Sequence, residues 1–437
     1  MAEDGSRSGH NVALVALDMG YGHLRAAHAL APALGAPVLA LDRAPLASLA
    51  EQRRWARVRA AYEALSRSSQ LPVVGAPLRR VLEGITFIPR LYAPRDQSRP
   101  NGGVRLLERL ARRGFGRGLL DHLHAEDATL VTTFYAPAVI ADFLGYPRTV
   151  CVVTDTDINR VWVSRWPAHS TVHYCVPSER ASRRLRAFGV RTEYIHLTGF
   201  PLPPELTGGP DLAALRGNLA RRLVRLDRRG AFRDQLREEI AHLLGALPGD
   251  EERRPPLLTF AVGGAGAQLA IARSFLPSLR RPIEQGELRL ALVAGVRRDV
   301  AARLDAWVAD AGLGALPPTC VEVVCEDSFP AYFARFNALM ARTDILWTKP
   351  SELSFYGALG IPLLFSWPVG VHERVNRRWV LHRGAGFKQE RPAETWEWLR
   401  EWLDDGTLAG AAWAGYQRLP KFGTARIVEV AERVASA

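Results

Sequence analysis

The stretch DILWTKPSELSFYGALGIPLLFSWPVGVHERVNRRWVLHRGAGF, residues 344–387, decides the fold of this 437-residue chain. It predicts a buried strand at DILWT and a Lys-Pro-Ser turn that opens a short helix. A second apolar strand follows at PLLFSW, and an amphipathic helix begins at about residue 371. Two parallel strands joined by a helix bring both C-terminal ends to one edge of a sheet, where α/β proteins bind ligands. The polar residues that fall on this edge, and so predict a site, are Lys349, Ser351, Glu352, His372, Glu373 and Asn376.

The same strand–helix rhythm extends in both directions, in two series. The first begins at NVALVAL (11–17), the second at LLTFAVGG (257–264), and residues 203–215 read as the linker between them. Short apolar strands separated by helical patterns predict parallel, doubly wound sheets. Because the chain exceeds the about 250–300 residues at which a single core stops growing, we expect two α/β domains.

Composition indicates an ordinary globular protein, with 48% hydrophobic and 23% charged residues. No apolar run approaches the about 20 residues of a transmembrane helix and no signal-peptide pattern follows the start, so we expect a cytoplasmic protein. The four cysteines lack metal-ligand spacing and are expected to be reduced core residues. The net charge of +12 rests on arginine. It attracts phosphates, nucleic acid or anionic lipid headgroups; the alternative is a set of solvated helix faces.

The segment DMGYGH (18–23) connects the first strand to an alanine-rich helix. Its glycines let the backbone turn sharply and bring amide groups close to a ligand at the helix N-terminus. His23 lies in the first turn of that helix, whose dipole disfavours the imidazolium. The histidine would therefore stay neutral near pH 7, as a general base must. The alternative is a histidine that only caps its own turn.

A second glycine-rich turn, GGAGAQ (263–268), also follows a buried strand and precedes a helix. Small residues there let the backbone approach a phosphate; the alternative is a tight turn with close helix–strand packing. Lys349 is a candidate partner for a phosphate or carbonyl, or else a surface lysine. Asp155 and Asp157 end another strand, and we favour a non-metal role because no further ligand cluster accompanies them.

Taken in order, these motifs resemble those of the GT-B-fold glycosyltransferases. The resemblance is to the branch that holds monogalactosyldiacylglycerol synthases, processive diglucosyldiacylglycerol synthases and the undecaprenyl-linked N-acetylglucosaminyltransferase. GYGHLRAAHAL (20–30) looks like the branch's N-terminal glycine loop, and TVCVVTDTDINRVWV (149–163) like its strand ending in VVTD. The run ending in LTGFPL (197–202) is similar to an interdomain Thr-Gly-x-Pro, and residues 347–376 are similar to the donor segment. The similarity spans most of the chain and rests on the order of the motifs.

This resemblance implies two Rossmann-like doubly wound domains facing across a cleft. Residues 1–203 would bind the acceptor, residues 204–410 the nucleotide sugar, and residues 411–437 would return as a helix to the first domain. The implied activity is that of a metal-independent hexosyltransferase without a cofactor. It would move a sugar from a nucleotide-sugar donor, expected to be UDP-linked, to a hydroxyl of a small-molecule, lipid or lipid-linked acceptor.

The resemblance also assigns roles to individual residues, with His23 as the catalytic base. The donor-binding residues would be Gly263, Gly264, Ala265, Gly266, Gln268, Lys349, Ser351, Glu352, His372, Glu373 and Asn376. The acceptor-binding residues would be Gly20, Tyr21, Gly22 and Asp155.

The chain departs from the branch at several positions. Phe355 stands where the relatives usually carry the glutamate that binds the donor ribose, and Glu352 is a nearby carboxylate that could replace it. His372 occupies a position where the branch commonly has a glutamine, and Ser351 one where it has a glycine. Val161 occupies the position of the histidine that often precedes the next tryptophan. Two alternatives therefore stay open, a nucleotide-sugar 2-epimerase and a diverged, non-catalytic sugar-nucleotide-binding protein. No motif predicts specific nucleic-acid binding.

A Pro- and Gly-rich interruption, GITFIPRLYAPRDQSRPNGG (84–103), lies within an arginine-rich helical region. Its aromatic and aliphatic side chains can enter a membrane interface while its arginines meet anionic headgroups. We therefore expect an anionic membrane surface as a partner and a peripheral position on the inner face of the membrane. The alternative is a solvated basic helix beside a loop. The arginines concerned are Arg90, Arg95, Arg99, Arg105, Arg109, Arg112 and Arg113.

Overall fold

The structure, a computed structural model, describes residues 11–68, 87–92, 95–249, 254–261 and 268–437. Its framework is a pair of six-stranded parallel sheets, each flanked by helices. The predicted α/β class with two Rossmann-like, doubly wound domains is confirmed.

The first sheet has the strand order β2-β1-β3-β4-β5-β6. Helices cover both faces, so strands such as β3 and β4 are buried along their whole length, as the apolar runs predicted. The strands are β1 (Val12–Ala16), β2 (Val38–Ala40), β3 (Thr129–Thr132), β4 (Thr149–Val152), β5 (His173–Val176) and β6 (Ile195–Leu197). The helices are α1 (Tyr21–Leu34), α2 (Leu49–Ser68), α3 (Gly102–Arg112), α4 (Arg117–Ala125), α5 (Tyr135–Phe143) and α6 (Glu179–Ala187).

The second sheet has the order β12-β11-β10-β7-β8-β9. Its strands are β7 (Leu257–Ala261), β8 (Arg289–Gly295), β9 (Val321–Cys325), β10 (Ile345–Thr348), β11 (Leu363–Phe365) and β12 (Gly386–Lys388). Before it come α7 (Pro204–Thr207), α8 (Ala213–Arg225), α9 (Ala231–Gln235) and α10 (Arg237–Leu244). Around it lie α11 (Ala270–Glu284), α12 (Arg298–Asp310), α13 (Phe329–Arg342), α14 (Val371–Leu381), α15 (Thr395–Asp404) and α16 (Thr407–Arg418).

The last helix, α17 (Gly423–Ala435), packs against α1 and against β3, β4 and β5 of the first sheet. The largest cluster of buried apolar side chains runs through both domains without a break. Phe200, between β6 and α7, stacks on Phe355 of the second domain with ring centroids 4.6 Å apart. The two sheets therefore share a packed interface beside the cleft.

The elements of residues 344–387 lie where the sequence predicted them. β10 and β11 pair in parallel, and α14 begins at Val371. The short helix after the Lys-Pro-Ser turn is a 3₁₀ helix, Glu352–Leu359. β12, a three-residue edge strand with little apolar content, was not predicted from the sequence.

Candidate functional site

The ligand-binding edges of the two sheets lie against each other. In each sheet the chain adds strands first on one side and then on the other. This change of side falls between β1 and β3 in the first sheet and between β7 and β10 in the second. Ligands of open α/β sheets bind at such switch points, outside the C-terminal ends of the strands. A Cβ atom on Gly22, just after β1, would lie 3.0 Å from Glu352 Oε2, just after β10. The two switch points therefore meet at the domain interface.

His23 is fixed at the switch point of the first sheet. Its Nδ1 lies 2.7 Å from the carbonyl oxygen of Thr133, just after β3. A carbonyl oxygen only accepts hydrogen bonds, so Nδ1 carries the proton and Nε2 of the neutral ring keeps its lone pair. The Thr133 hydroxyl donates in turn to the His23 carbonyl at 2.8 Å, and Thr154 Oγ1 lies 3.2 Å from Nδ1. Two contacts from neighbouring strand ends thus hold the ring, and a third holds the backbone of the same residue.

Burial lowers the pKa of His23 below its usual 6.5, although Asp155, the Thr133 carbonyl and Glu352 act to raise it. The ring also borders Phe134, at a centroid distance of 4.8 Å. Loss of hydration is therefore the largest cause of the shift, rather than the helix dipole on which the sequence argument relied. The imidazole is neutral near pH 7, the state that proton abstraction requires.

Asn376 makes four side-chain hydrogen bonds, three of which cross to the first domain. Its side-chain nitrogen donates to Asp155 Oδ1 at 2.8 Å and to the Pro350 carbonyl at 3.2 Å. Its oxygen accepts from the Thr156 amide at 2.9 Å and from the Thr156 hydroxyl at 2.7 Å. The amide of Asn376, fully buried, is thus saturated within the chain. The sugar contact predicted for it requires one of these bonds to break.

Asp157, two residues beyond Asp155, is bound by arginines. Arg184 and Arg180 both contact its carboxylate, which is completely buried. Asp155, by contrast, is partly exposed at the strand end. Of the two acids, Asp155 is the one that lies next to the cleft and close enough to influence His23.

Lys349 faces Glu373 across the loop that follows β10. Its Nζ lies 3.4 Å from Glu373 Oε1, and Glu373 Oε2 accepts from the Val369 amide at 2.7 Å. Burial alone would raise the pKa of Glu373, but Lys349, His372 and the Val369 amide outweigh it, and the pKa is lowered. Glu373 is therefore an ionised group that orients the lysine and the loop. The His372 ring lies over Gly370, where an added Cβ would sit 2.7 Å from Cε1.

Gln268 ties the end of the glycine-rich turn to the loop after β11. It donates to the Trp367 carbonyl and accepts from the Ser366 hydroxyl. Gly263, Gly264, Ala265 and Gly266 themselves lie outside the described residues, so their phosphate-binding role stays a prediction. The Ser351 amide donates to the Lys349 carbonyl at 2.8 Å, which closes the turn into the 3₁₀ helix.

Glu352 is already paired. Arg25 of α1 donates to Glu352 Oε1 at 3.3 Å, and both side chains are buried. Phe355, where the relatives usually have a carboxylate, packs between Phe200 and Trp379. The ribose contact predicted for Glu352 therefore competes with an interdomain ion pair.

The glycine loop around Gly20 directs Tyr21 into the second domain. Gly20 has φ of 125°, in the region that favours glycine, and α1 begins at the next residue. The Tyr21 hydroxyl accepts from the Val296 amide at 3.2 Å. The ring of Tyr21 lies at the end of β8, and the acceptor contact predicted for it stays a prediction.

Arg25 and Thr133 were not predicted as parts of this site, and Thr154, which precedes Asp155 at the strand end, was given no role in it. Arg25 had one available signal, because it is a lone charge on the buried face of the alanine-rich α1. The two threonines had none, because strand ends commonly carry threonine.

Neither a metal cluster nor a membrane span is found in the ranges that the structure describes. No group of three or more His, Cys, Asp or Glu side chains is placed to hold a metal ion among them. The helices of the same residues include none long and apolar enough to cross a bilayer.

Comparisons with known proteins agree on the fold. Residues 314–386 match the family described as Domain of unknown function (DUF6938). No curated protein sequence gives a significant match. The structure of Staphylococcus aureus MnaA with UDP is similar with a TM-score of 0.50 at 12% identity, over 96% of this chain and 95% of that one. A putative UDP-N-acetylglucosamine 2-epimerase from Listeria monocytogenes also has a TM-score of 0.50, at 11% identity, over 96% and 95%.

MurG from Acinetobacter baumannii is similar over 97% of this chain and 99% of that chain, with a TM-score of 0.47 and 13% identity. At such identities the likenesses concern the fold alone, and the two structures with a TM-score of 0.50 agree with the architecture of two Rossmann-like domains. The narrower branch suggested by the sequence motifs stays a prediction.

Proposed function

We propose that this chain is a glycosyltransferase that moves a sugar from a nucleotide-sugar donor, expected to be UDP-linked, to an acceptor hydroxyl. The observation that carries the proposal is the state of His23. It is a neutral imidazole with its Nδ1 proton bound to a carbonyl, at a switch point that meets the switch point of the other sheet. An imidazole in this state can accept a proton at Nε2 from a hydroxyl in the cleft.

In the proposed reaction the acceptor hydroxyl gives its proton to His23 Nε2 while its oxygen attacks the anomeric carbon. The bond from that carbon to the diphosphate oxygen breaks, and the nucleoside diphosphate leaves with the electron pair. Lys349 and the glycine-rich turn before α11 would stabilise the charge that develops on the diphosphate. Asp155 would orient the acceptor, and its charge favours the imidazolium that forms on His23.

A thermal-shift panel of UDP-, GDP- and TDP-sugars tests the donor, because a ligand that binds only the folded chain raises its melting temperature. We expect a UDP-sugar to stabilise the wild type and Lys349→Met to lose that shift. Lys388→Met is the matched control, because Lys388 is an exposed lysine of the edge strand β12. Equal shifts in both variants would remove Lys349 from the donor site.

The pairing of Glu352 with Arg25 supports a second candidate, a non-catalytic protein that binds sugar nucleotides. Phe355 packs in the core and Glu352 pairs with Arg25, so neither position offers an unpaired carboxylate to the donor ribose. Binding of a nucleotide sugar without turnover would favour this candidate. Proton NMR of the protein with a nucleotide sugar alone distinguishes a 2-epimerase from both candidates, because a 2-epimerase would convert the nucleotide sugar without any acceptor.

We further propose that the acceptor is presented at an anionic membrane surface. The side chains of Phe87, Tyr92 and Leu106 are exposed, and they lie in the same stretch of sequence as the arginines of residues 87–113. Arg184, itself buried, holds this region by donating to the Pro89 carbonyl at 2.6 Å and to Gln97 Oε1 at 2.7 Å. Aromatic side chains on an anchored loop can enter an interface while arginines meet headgroups, at about 1 kcal/mol each.

Co-sedimentation with vesicles of anionic lipid tests this surface. Substitutions that neutralise Arg90, Arg95 and Arg99 should weaken vesicle binding relative to the wild type. Neutralising three exposed arginines of the second domain should not. The control arginines are Arg229, Arg391 and Arg400. If the wild type ignores such vesicles at low salt, where attraction is strongest, the acceptor is not presented at an anionic membrane.

A further inference from the structure

The start of α1 is inserted into the second domain. The Tyr21 hydroxyl accepts from the Val296 amide, and the Tyr21 ring meets Phe329 edge-on at a centroid distance of 5.5 Å. A Cβ atom on Gly295 would lie 2.6 Å from the Tyr21 hydroxyl oxygen, so the ring touches the backbone at the end of β8. Tyr21 thus fills the space directly above this strand end.

Arg25, one turn further along α1, makes a second insertion. It is 3% exposed, and its guanidinium carbon lies 4.0 Å from the ring centroid of Phe336 on α13. Its Nη2 donates to the Tyr332 hydroxyl at 3.0 Å, and its Nε pairs with Glu352. A charge this deeply buried is stable only while its partners stay in place, so the insertion links the two domains firmly.

Both side chains enter the switch-point crevice of the second sheet. The crevice is lined by the strand ends Ala261, Gly295 and Thr348, together with Tyr21 and Arg25 themselves. Ligands of doubly wound sheets bind in this crevice. A ligand and these two side chains cannot occupy the same volume.

We propose that Tyr21 and Arg25 form an autoinhibitory contact that closes the crevice and opens only when α1 withdraws from the second domain, a step that admits the donor before His23 returns to it. The inference rests on the proposed function for its ligand, a nucleoside diphosphate sugar. The ligand selects the arrangement in which α1 is withdrawn, and its apparent affinity is reduced by the fraction of chains in that arrangement. Weakening the contact should therefore tighten binding.

Gly295→Ala is the sharpest test, because the added methyl group displaces the Tyr21 ring without touching the proposed catalytic residues. Gly286→Ala is the matched control. Gly286 has φ of 70°, close to the 73° of Gly295, but no atom lies within 4 Å of its added Cβ. The two variants share the backbone strain and differ in the contact with Tyr21. Tyr21→Ala, which deletes the ring, repeats the test if Gly295→Ala folds poorly.

Two measurements are made on each chain: the radius of gyration by small-angle X-ray scattering without nucleotide, and the affinity for UDP by calorimetry. We expect Gly295→Ala to be more expanded than Gly286→Ala. Its affinity for UDP should be about 10–1,000-fold higher, if the withdrawn arrangement is populated at about 0.1–10% in the wild type. An unchanged radius of gyration for Gly295→Ala and Tyr21→Ala would overturn the contact.

An expanded variant that binds UDP no more tightly than the wild type would overturn the gating and leave the donor assignment intact. An expanded variant with no UDP binding by any chain would instead overturn the proposed donor, while the interdomain contact stands.

Discussion

Replacing Asn376 by leucine should uncouple the two domains. Leucine has a similar size but neither donates nor accepts hydrogen bonds, so all four side-chain bonds are lost, three of them to the first domain. The amide and hydroxyl of Thr156, which is fully buried, would be left without their partner. Asp155 is partly exposed and regains hydration.

The magnitude follows from the two Thr156 groups. A buried polar group left unsatisfied costs about 1–3 kcal/mol, so the pair costs about 2–6 kcal/mol. At about 2–4 °C per kcal/mol for a domain of this size, the melting temperature should fall by on the order of 10 °C. Differential scanning calorimetry measures this fall and also reveals whether the two domains begin to unfold separately.

Asn337→Leu is the matched control, because Asn337 makes a single exposed bond to Glu205. Its melting temperature should fall much less, because this half-buried residue loses a single hydrogen bond, worth about 0.5–1.5 kcal/mol, and leaves no buried pair of Thr156 groups unsatisfied. If Asn376→Leu melts no lower than Asn337→Leu, the three interdomain bonds do not hold the domains together and the reasoning is refuted.

Asn376→Asp gives the same contact a pH dependence. The variant keeps the oxygen that faces Thr156 but places a second oxygen where the nitrogen lay 2.8 Å from Asp155. Two carboxylates this close cannot both ionise freely, so the pKa of the pair is raised in the folded chain above the usual value of about 3.9. The variant should be near wild-type stability at low pH and lose stability as the pH rises. A stability gap independent of pH would contradict the contact.

Three further predictions concern single side chains. Burial lowers the pKa of His23, so the acid limb of the pH profile of kcat/KM should lie below about pH 6.5. A limb above neutrality in this pH–rate profile would contradict the neutral base. Burial raises the pKa of the thiols of Cys151 and Cys175, so iodoacetamide should modify the other two cysteines first, and equal rates by mass spectrometry would contradict this. Arg184→Met should expose residues 87–101 to proteolysis and cost about 3–5 kcal/mol, more than Arg180→Met, because Arg184 and its carboxylate partner are both fully buried.

The sequence predicted the fold well because the information is local. In residues 344–387 the apolar runs, the Lys-Pro-Ser turn and the Pro-Gly loop each specify their own segment, and β10, β11 and α14 followed. β12 was missed because three residues at a sheet edge, one of them lysine, carry almost no periodic signal.

The site could be predicted only in outline. His23 was recognised from its place after a glycine loop, but the side chains that hold it come from strands more than 100 residues away. The interdomain contacts of Tyr21, Arg25 and Asn376 were not predicted, because their partners belong to the other domain, over 200 residues distant. Contacts between domains depend on how two finished surfaces meet, which no short pattern in one segment encodes.

The most direct test of the proposed activity is transfer from a UDP-sugar to a mixture of lipid and soluble acceptors, with the released UDP and the glycosylated product both quantified by mass spectrometry. The wild type is predicted to release UDP only with an acceptor present. His23→Gln should be slower by about 10²–10⁴ in kcat with its affinity for UDP unchanged. Normal turnover by His23→Gln, or conversion of the donor sugar without any acceptor, would contradict a glycosyltransferase that uses His23 as its base.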